Sequence, residues 1–300
     1  MITLNQFNLI TIFSTPKNFE GIFDIIQTNA INSWRAQSSD IEIIIFGDSK
    51  GSKEIAKSVN AVYVPNVKTS NKGVPLLSDL FKKAEKIAEN NLLIFINSDI
   101  LLPFDFFNSI KKIKNMPNKY LMVGHRWDCD VEFKIDFFRE NNYKKVWDNI
   151  FNRAKKHLPS GIDYFIFKKK TFKNIPDFSV GRYGYDNWII WYARRRLIPV
   201  IDLSDELKVI HQNHHYRFHN LVGDPKIFIE EDGARNKELI GENTLNLCDA
   251  NFFLSSNRIM KNTSYEFLNR NLGKLEKIYP ELYYLFNWYK RIKRRFFKKI

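Results

Sequence analysis

Three short apolar runs set the first limit on what this chain can fold into: Asn8 to Ser14 (NLITIFS), Ile41 to Phe46 (IEIIIF) and Leu92 to Ile96 (LLIFI). Each is rich in β-branched or aromatic residues, too short for a buried helix and nearly continuous in its apolar character, so each reads as a strand covered on both faces. Between them lie segments of helical character, Phe19 to Ser33, Ser52 to Ser58 and Pro75 to Glu89, with a short strand at Ala61 to Val64. The last helix carries apolar residues at 76, 77, 80, 81, 84, 87 and 88. Strands alternating with helices predict an α/β domain on a mainly parallel sheet.

The middle third changes character. Strands are predicted at Tyr120 to Gly124 and Tyr164 to Lys168, with a polar helix near Asp136 to Lys155 between them, then a helix over Asp186 to Arg196 and a short strand over Pro199 to Asp202. From about Gly223 the strand signal fades into irregular and then helical sequence. The expected division is an α/β domain over residues 1–222 and a mostly helical extension over 223–300, ending in a basic amphipathic helix. No internal repeat or low-complexity linker interrupts the chain.

Ligands of open α/β sheets sit beyond the carboxyl ends of the strands, where loops and helix N-termini present free backbone N–H groups. Three such ends are polar here: Ser14-Thr15-Pro16, Gly47-Asp48-Ser49 and Asn97-Ser98-Asp99. Any one triplet alone is ordinary turn chemistry; their coincidence marks a site. Gly47 to Ser52 (GDSKGS) lacks P-loop spacing, no GxGxxG follows the first strand and no GxSxG elbow is present, which sets aside P-loop, dinucleotide and serine-hydrolase chemistry. His211-Gln-Asn-His-His215 places histidines four apart, but Gln212 stands where a zinc protease needs its glutamate. Cys129 and Cys248 form no CxxC and suggest neither a disulfide framework nor a structural zinc.

The order of these motifs resembles a GT-A glycosyltransferase, near the family 2 type, over about residues 8 to 216. The resemblance implies a Rossmann-like nucleotide-diphospho-sugar transferase fold with helices on both faces of the sheet. It also implies roles residue by residue. Asp48 matches the acid that accepts hydrogen bonds from the nucleotide base, and Ser14 and Thr15 match the first nucleotide-binding loop. Asn97-Ser98-Asp99 occupies the place of the DxD motif, whose last carboxylate binds a Mn²⁺ or Mg²⁺ bridging the donor's diphosphate. Asn97 departs from that pattern and brings no charge, although one or two protein carboxylates suffice for such ions. A histidine late in the domain completes the metal shell in many such enzymes: His211 is the first choice and His214 or His215 the reserve, with a polar loop as the alternative.

Between Pro159 and Arg196 the resemblance places a glycine turn at Gly161 and an acid at a helix start, Asp186, the catalytic base of inverting members. In an inverting transfer the acceptor hydroxyl loses its proton as it attacks the anomeric carbon, and a positioned carboxylate takes it. A helix cap is the structural alternative for Asp186 and is compatible with catalysis. Asp163 beside the glycine turn suits sugar hydroxyls and Arg182 a diphosphate, or either forms a structural ion pair. Trp188, Trp191 and Tyr192 recur at helical spacing and read as core rather than a sugar-stacking platform.

Charge separates two further readings. Of a net +14, seven positive charges lie among the last eleven residues without an acid. Leu282, Leu285, Tyr289, Ile292 and Phe296 recur at spacings of three and four, giving a helix with an apolar face and a basic face that suits an anionic membrane surface, or packs on the domain instead. With no apolar run long enough to span a bilayer and no leader-like start, the expected location is cytoplasmic and peripheral at the inner face of the membrane. The expected partners are a nucleotide-sugar donor and a glycan or lipid-linked acceptor. A non-enzymatic nucleic-acid-binding protein using the basic tail is the competing class, but no RNP-like motif, KH loop or zinc knuckle supports it and no nucleic acid is expected. A nucleotidyltransferase that makes the sugar nucleotide would need a glycine-rich basic loop after the first strand, which is missing. Donor sugar, acceptor and stereochemistry stay open.

Overall fold

A computed structural model describes residues 10–139, 142–214, 231–285 and 287–288. The buried runs form β1 (Ile10–Ser14), β2 (Glu42–Phe46), β3 (Val62–Val64) and β4 (Leu92–Ile96), which pair parallel in the order β4-β1-β2-β3. They are connected through α1 (Ile22–Arg35), α2 (Ser52–Ser58) and α3 (Leu77–Ile87). A two-residue strand β5 (Ile100–Leu101) and helix α4 (Phe106–Lys111) follow. Next come β6 (Leu121–Val123), β7 (Arg126–Cys129), α5 (Asn142–Phe151), β8 (Lys155–Lys156), β9 (Tyr164–Lys168) and α6 (Tyr185–Arg195). Beyond these lie β10 (Val200–Asp202), β11 (Val209–Gln212) and α7 (Glu231–Ile240). The last elements are β12 (Phe252–Ser255), β13 (Arg258–Lys261), α8 (Tyr265–Gly273) and α9 (Leu275–Ile278).

The principal sheet has the order β13-β12-β10-β6-β9-β4-β1-β2-β3, with antiparallel pairings only at β9 and at the β12–β13 edge. Its strands are apolar on both sides because helices cover both faces. Phe13, Phe46, Phe95 and Phe167 point to one core with Leu80, Phe81, Trp188 and Tyr192, whereas Ile12, Ile45, Ile94 and Ile166 point to the other with Trp34 and Phe106. Trp188 and Tyr192 are buried in the first core, so the core reading of that aromatic stripe is the correct one. A second, small sheet, β5-β11-β7-β8, continues past the carboxyl end of β4 over a third cluster that includes Trp147 and Ile150.

Two features differ from the sequence reading. The expected fading of strands after Gly223 does not hold at 252–261, where β12 joins the principal sheet beside β10 and β13 closes that edge. The strand signal there is weak because Phe253 and Met260 are exposed and Arg258 and Lys261 bound the second strand. Helix α7 also reaches back to the site: Asn236 Oδ1 accepts from Ser179 N at 2.8 Å and Asn236 Nδ2 donates to Ser179 O at 3.0 Å, bracing the loop that leads into α6. The expected boundary near 222, His215 and the basic run from Lys290 lie outside the described residues.

Candidate functional site

The carboxyl ends of β1 and β4 are neighbours because these strands pair in parallel, Phe13 opposite Phe95. Ser14 and Ser98 therefore meet, their hydroxyls 2.7 Å apart, and Ser14 Oγ also donates to Ile96 O at 2.6 Å. Both serines are buried and tie the strand ends to each other. Thr15 Oγ1 is buried with no hydrogen-bond partner among the described residues. Asp48 is exposed past β2, where it accepts from Tyr63 Oη at 2.5 Å; that bond pushes the phenol up to about 12. Among the described contacts it does not join the residues around Asp99.

Asp99 follows β4 and immediately precedes β5. Because β5 pairs antiparallel with β11, Ile100 opposite His211, the chain brings His211 against Asp99. His211 Nε2 lies 3.6 Å and His214 Nε2 3.2 Å from Asp99 Oδ2. Both rings are buried, and one ligand atom from each of the three residues falls within 4.8 Å of the others. His211 is thus carried within β11 itself. Burial opposes charge on these groups, yet the His211 charge, its hydrogen bond and the contacts with His214 hold Asp99 well below the usual carboxylate range. Burial likewise opposes charge on His211, but Asp99 and Asp128 outweigh it and raise the imidazole to about 9.

This donor set fits a divalent cation. Adjacent ligands of an ion coordinated at about 2.1 Å stand about 3 Å apart, close to the separations seen here. Asp99 Oδ1 is buried without a hydrogen-bond partner among the described residues, leaving an anionic oxygen to be satisfied. Two imidazoles and one carboxylate suit Mn²⁺ and later transition ions better than an all-oxygen site would.

Cationic side chains border the cluster. Lys17 lies over the Phe23 ring, 4.8 Å from its centroid, and Phe23 in turn packs 4.9 Å from His214. Burial lowers the Lys17 amine, Asp99 raises it and Arg182 lowers it further, which puts Arg182 in the same electrostatic neighbourhood. Arg182 also donates to Gly181 O at 3.3 Å.

A second network runs beneath. Asn97 Nδ2 donates to Asp163 Oδ1 at 2.7 Å, and Asp163 Oδ2 pairs with Arg126 Nη1 at 2.9 Å. Arg126 Nε lies 3.0 Å from Asp128 Oδ1, which is 3.2 Å from His211 Nδ1, while His157 Nδ1 meets Asp128 Oδ2 at 2.5 Å. Asp163 is therefore tied to Asn97 and Arg126. Gly161 owes its identity to packing: a Cβ there would fall 2.2 Å from His157 Cδ2.

Asp186 is the second residue of α6, not its cap. The N-cap is Gly184, whose φ of 78° is in the left-handed region that a side chain disfavours. Burial and then the neighbouring Asp163 carboxylate push the Asp186 carboxyl up to about 7, although its Oδ1 accepts from Asn187 N at 2.9 Å. Tyr185 beside it is buried and donates to Asn97 Oδ1 at 3.3 Å. Burial and then the charges of Asp186, Asp163 and Asp99 hold its phenol well above the ordinary value.

The structure thus gathers Ser14, Asn97, Ser98, Asp99, Asp163 and His211 around the end of β4, with Asp186 at the start of α6 and Gly161 on the turn before β9, and places Asp48 in the loop after β2, which meets the loop after β1 through Ser49 Oγ donating to Pro16 O at 2.9 Å. Lys17, Arg126, Asp128 and His157 belong to the same region and were not anticipated. Arg126 and Asp128 alternate with Trp127 and Cys129 in a strand, a polar/apolar alternation legible once β7 is known.

No family model and no curated protein matches the chain. Solved structures overlap it partially. The mannosyltransferase PcManGT from Pyrobaculum calidifontis, in complex with GDP-Man and Mn²⁺, is 11% identical with a TM-score of 0.44, the match covering 70% of this chain and 59% of that one. S. aureus TarS 1–349 in complex with UDP-GlcNAc is 14% identical with a TM-score of 0.47, over 69% of this chain and 59% of that one. Glucosyl-3-phosphoglycerate synthase from Mycobacterium tuberculosis, with Mn²⁺, UDP and glucosyl-3-phosphoglycerate, is 14% identical with a TM-score of 0.42, over 69% and 73%. This chain spans 59% of the length of the first two.

Proposed function

We propose that this chain is a glycosyltransferase that moves a sugar from a nucleotide-diphosphate donor to a glycan or lipid-linked acceptor, using a divalent cation held by Asp99, His211 and His214. The observation that carries this reading is that ligand cluster beyond the end of β4, to which the Tyr185–Asn97 hydrogen bond ties the start of α6 and so Asp186. A bound cation would neutralise charge on the donor's diphosphate. Lys17 and Arg182 add positive charge to the same region and oppose the negative charge that builds on the leaving group. Asp163 is buried with one carboxylate oxygen on Asn97 and the other on Arg126, which favours the structural ion pair over direct contact with sugar hydroxyls. Asp186 accepts the acceptor's proton, a task suited to a carboxyl whose affinity for protons lies near neutrality. The sugar configuration is then inverted. In this reading Thr15 and Asp48 border the approach of the nucleotide, and Ser14 ties the strand ends together beneath it.

Membrane association is a second part of the proposal. Among the described residues no helix is long and apolar enough to cross a membrane. The C-terminal part nevertheless exposes Tyr265 by 75%, Leu272 by 69% and Trp288 by 62%, and the Lys/Arg-rich run follows in sequence. A peripheral position on an anionic inner leaflet accounts for both, with lipid-linked acceptors within reach.

The test is a thermal-shift screen of UDP, GDP, CDP and dTDP sugars with and without Mn²⁺, followed by a transfer assay with the stabilising donor. A ligand that binds only the folded chain raises its melting temperature. Failure of every sugar nucleotide to stabilise the protein in the presence of Mn²⁺ overturns the reading. Co-sedimentation with anionic but not neutral vesicles checks the membrane part.

A further inference from the structure

The network beneath the cation cluster has a feature that ligand binding alone does not require. In the small sheet, β11 runs parallel to β7 with His211 opposite Asp128, and β7 runs antiparallel to β8, whose chain continues into His157. One carboxylate is thereby set between two imidazoles: Asp128 Oδ1 is 3.2 Å from His211 Nδ1, and Asp128 Oδ2 is 2.5 Å from His157 Nδ1. Arg126 Nε lies 3.0 Å from Oδ1 on the same strand, and Arg126 is in turn tied to Asp163. Rotation of the Asp128 carboxylate would break contacts at both of its oxygens.

We propose that Asp128 is a positioning residue for the cation site, engaging the Nδ1 side of His211 so that Nε2 is the nitrogen presented beside Asp99. The two ring nitrogens of an imidazole point away from each other. A group at Nδ1 therefore cannot share an ion bound at Nε2, and Asp128 acts through His211 instead of binding the cation. A carboxylate against Nδ1 holds the N–H on that side of the ring, leaving the Nε2 lone pair directed at a metal. The backbone register of β7 and β11 fixes the pair, so the orientation exists before any ligand arrives. His157 and Arg126 keep the carboxylate aimed. This inference rests on the cation reading of Asp99, His211 and His214.

The test measures Mn²⁺ affinity of the full chain by following the free-ion electron paramagnetic resonance signal for the parent, Asp128→Ala and Asp128→Asn, with melting temperatures recorded in chelator. Asp128→Ala is expected to weaken binding by about 10- to 100-fold, the usual consequence of losing such an outer partner. Asp128→Asn keeps an oxygen opposite Nδ1 and turns an amide NH₂ toward His157, so it should be intermediate, about threefold to tenfold weaker than the parent. Graded loss in that order supports the inference. Parent-like affinity in either folded variant overturns it, and so does an Asn variant as weak as Ala, because the inference assigns the effect to an oxygen held at His211 Nδ1, which Asn keeps and Ala lacks. If the alanine variant fails to fold, the Asn variant decides alone: weaker binding than the parent supports the inference and parent-like affinity overturns it. A parent chain that takes up no Mn²⁺ overturns the cation reading itself, an outcome distinct from equal binding by parent and variants.

Discussion

Asn97 and Asp163 are joined twice, once through the main chain and once through the side chains. Asn97 N donates to Asp163 O at 2.9 Å, and Asn97 Nδ2 donates to Asp163 Oδ1 at 2.7 Å. The position at which the DxD resemblance expects an acid is thus filled by a donor, because an acidic partner already stands opposite. Asp163 and Arg126 supply the charges on that side.

Restoring an acid at this position should harm the fold. Asn97→Asp would put two carboxylates in contact in a part-buried setting, so one must bind a proton at a raised pKa. That makes stability fall as pH rises above the ordinary carboxylate range. The expected loss at pH 8 is about 1–3 kcal/mol, shrinking toward pH 4. Urea unfolding of both chains at the two pH values checks it; equal stability at pH 8 rules it out.

Asp186→Asn should separate activity from stability. The Asp186 carboxyl sits at about 7 in the folded protein, above its ordinary value of 3.8. A raised carboxyl pKa means that folded stability is lost as pH rises from about 4 to about 7, by up to roughly 1.4 kcal/mol per pH unit through that window, less whatever solvent screens. An amide carries no such cost and retains an oxygen for Asn187 N. The variant should lose transfer while retaining donor binding, and melt at or above the parent temperature at pH 8 but not at pH 4. In the parent, turnover should rise with pH through about 7 as the base ionises. Full turnover by the variant would mean that the leaving diphosphate assists the acceptor and that no base is needed.

Cation preference follows from the donor atoms. Two imidazoles and one carboxylate favour Co²⁺ and Mn²⁺ over Mg²⁺, which prefers oxygen and keeps its waters. Thermal shifts at equal ion concentration should rank Mg²⁺ last, with at least about tenfold weaker affinity than Mn²⁺, and both responses should vanish in Asp99→Ala. His214→Ala should narrow the gap between Mn²⁺ and Mg²⁺. A larger shift with Mg²⁺ than with Mn²⁺ contradicts the assignment of nitrogen ligands.

The parallel half of the sheet was legible because β1, β2 and β4 are buried on both faces and so carry almost unbroken apolar runs. The polar ends of β1 and β4 were legible for the same reason, since a polar residue after such a run marks its end. The small sheet was not. Its strands are two to four residues long, and their pairings join residues 100, 128 and 211, far apart in sequence, so no local period announces them. Asp128 and His157 went unnoticed as a consequence, although His211 was identified. At Asp48 the strand end was plain, but its hydrogen bond from Tyr63 of the adjacent strand was not, because only the β2–β3 pairing brings the two together.

Gly161 offers a direct probe of that hidden layer. A methyl group at this position would meet the His157 ring at 2.2 Å from Cδ2, a separation no real contact tolerates, and the main chain there is fixed by Gly161 N donating to Leu158 O at 3.0 Å. The ring must move, and its Nδ1 would leave Asp128. Gly161→Ala should therefore cost about 1–3 kcal/mol, the range for overpacking a constrained site. In a His157→Ala background the same methyl group enters vacated space, so the penalty should fall below about 0.5 kcal/mol. Unfolding of the parent, the two single variants and the double variant measures the coupling. A penalty that persists in the absence of the imidazole would show that Gly161 is required by its backbone conformation, and not by the ring that rests on it.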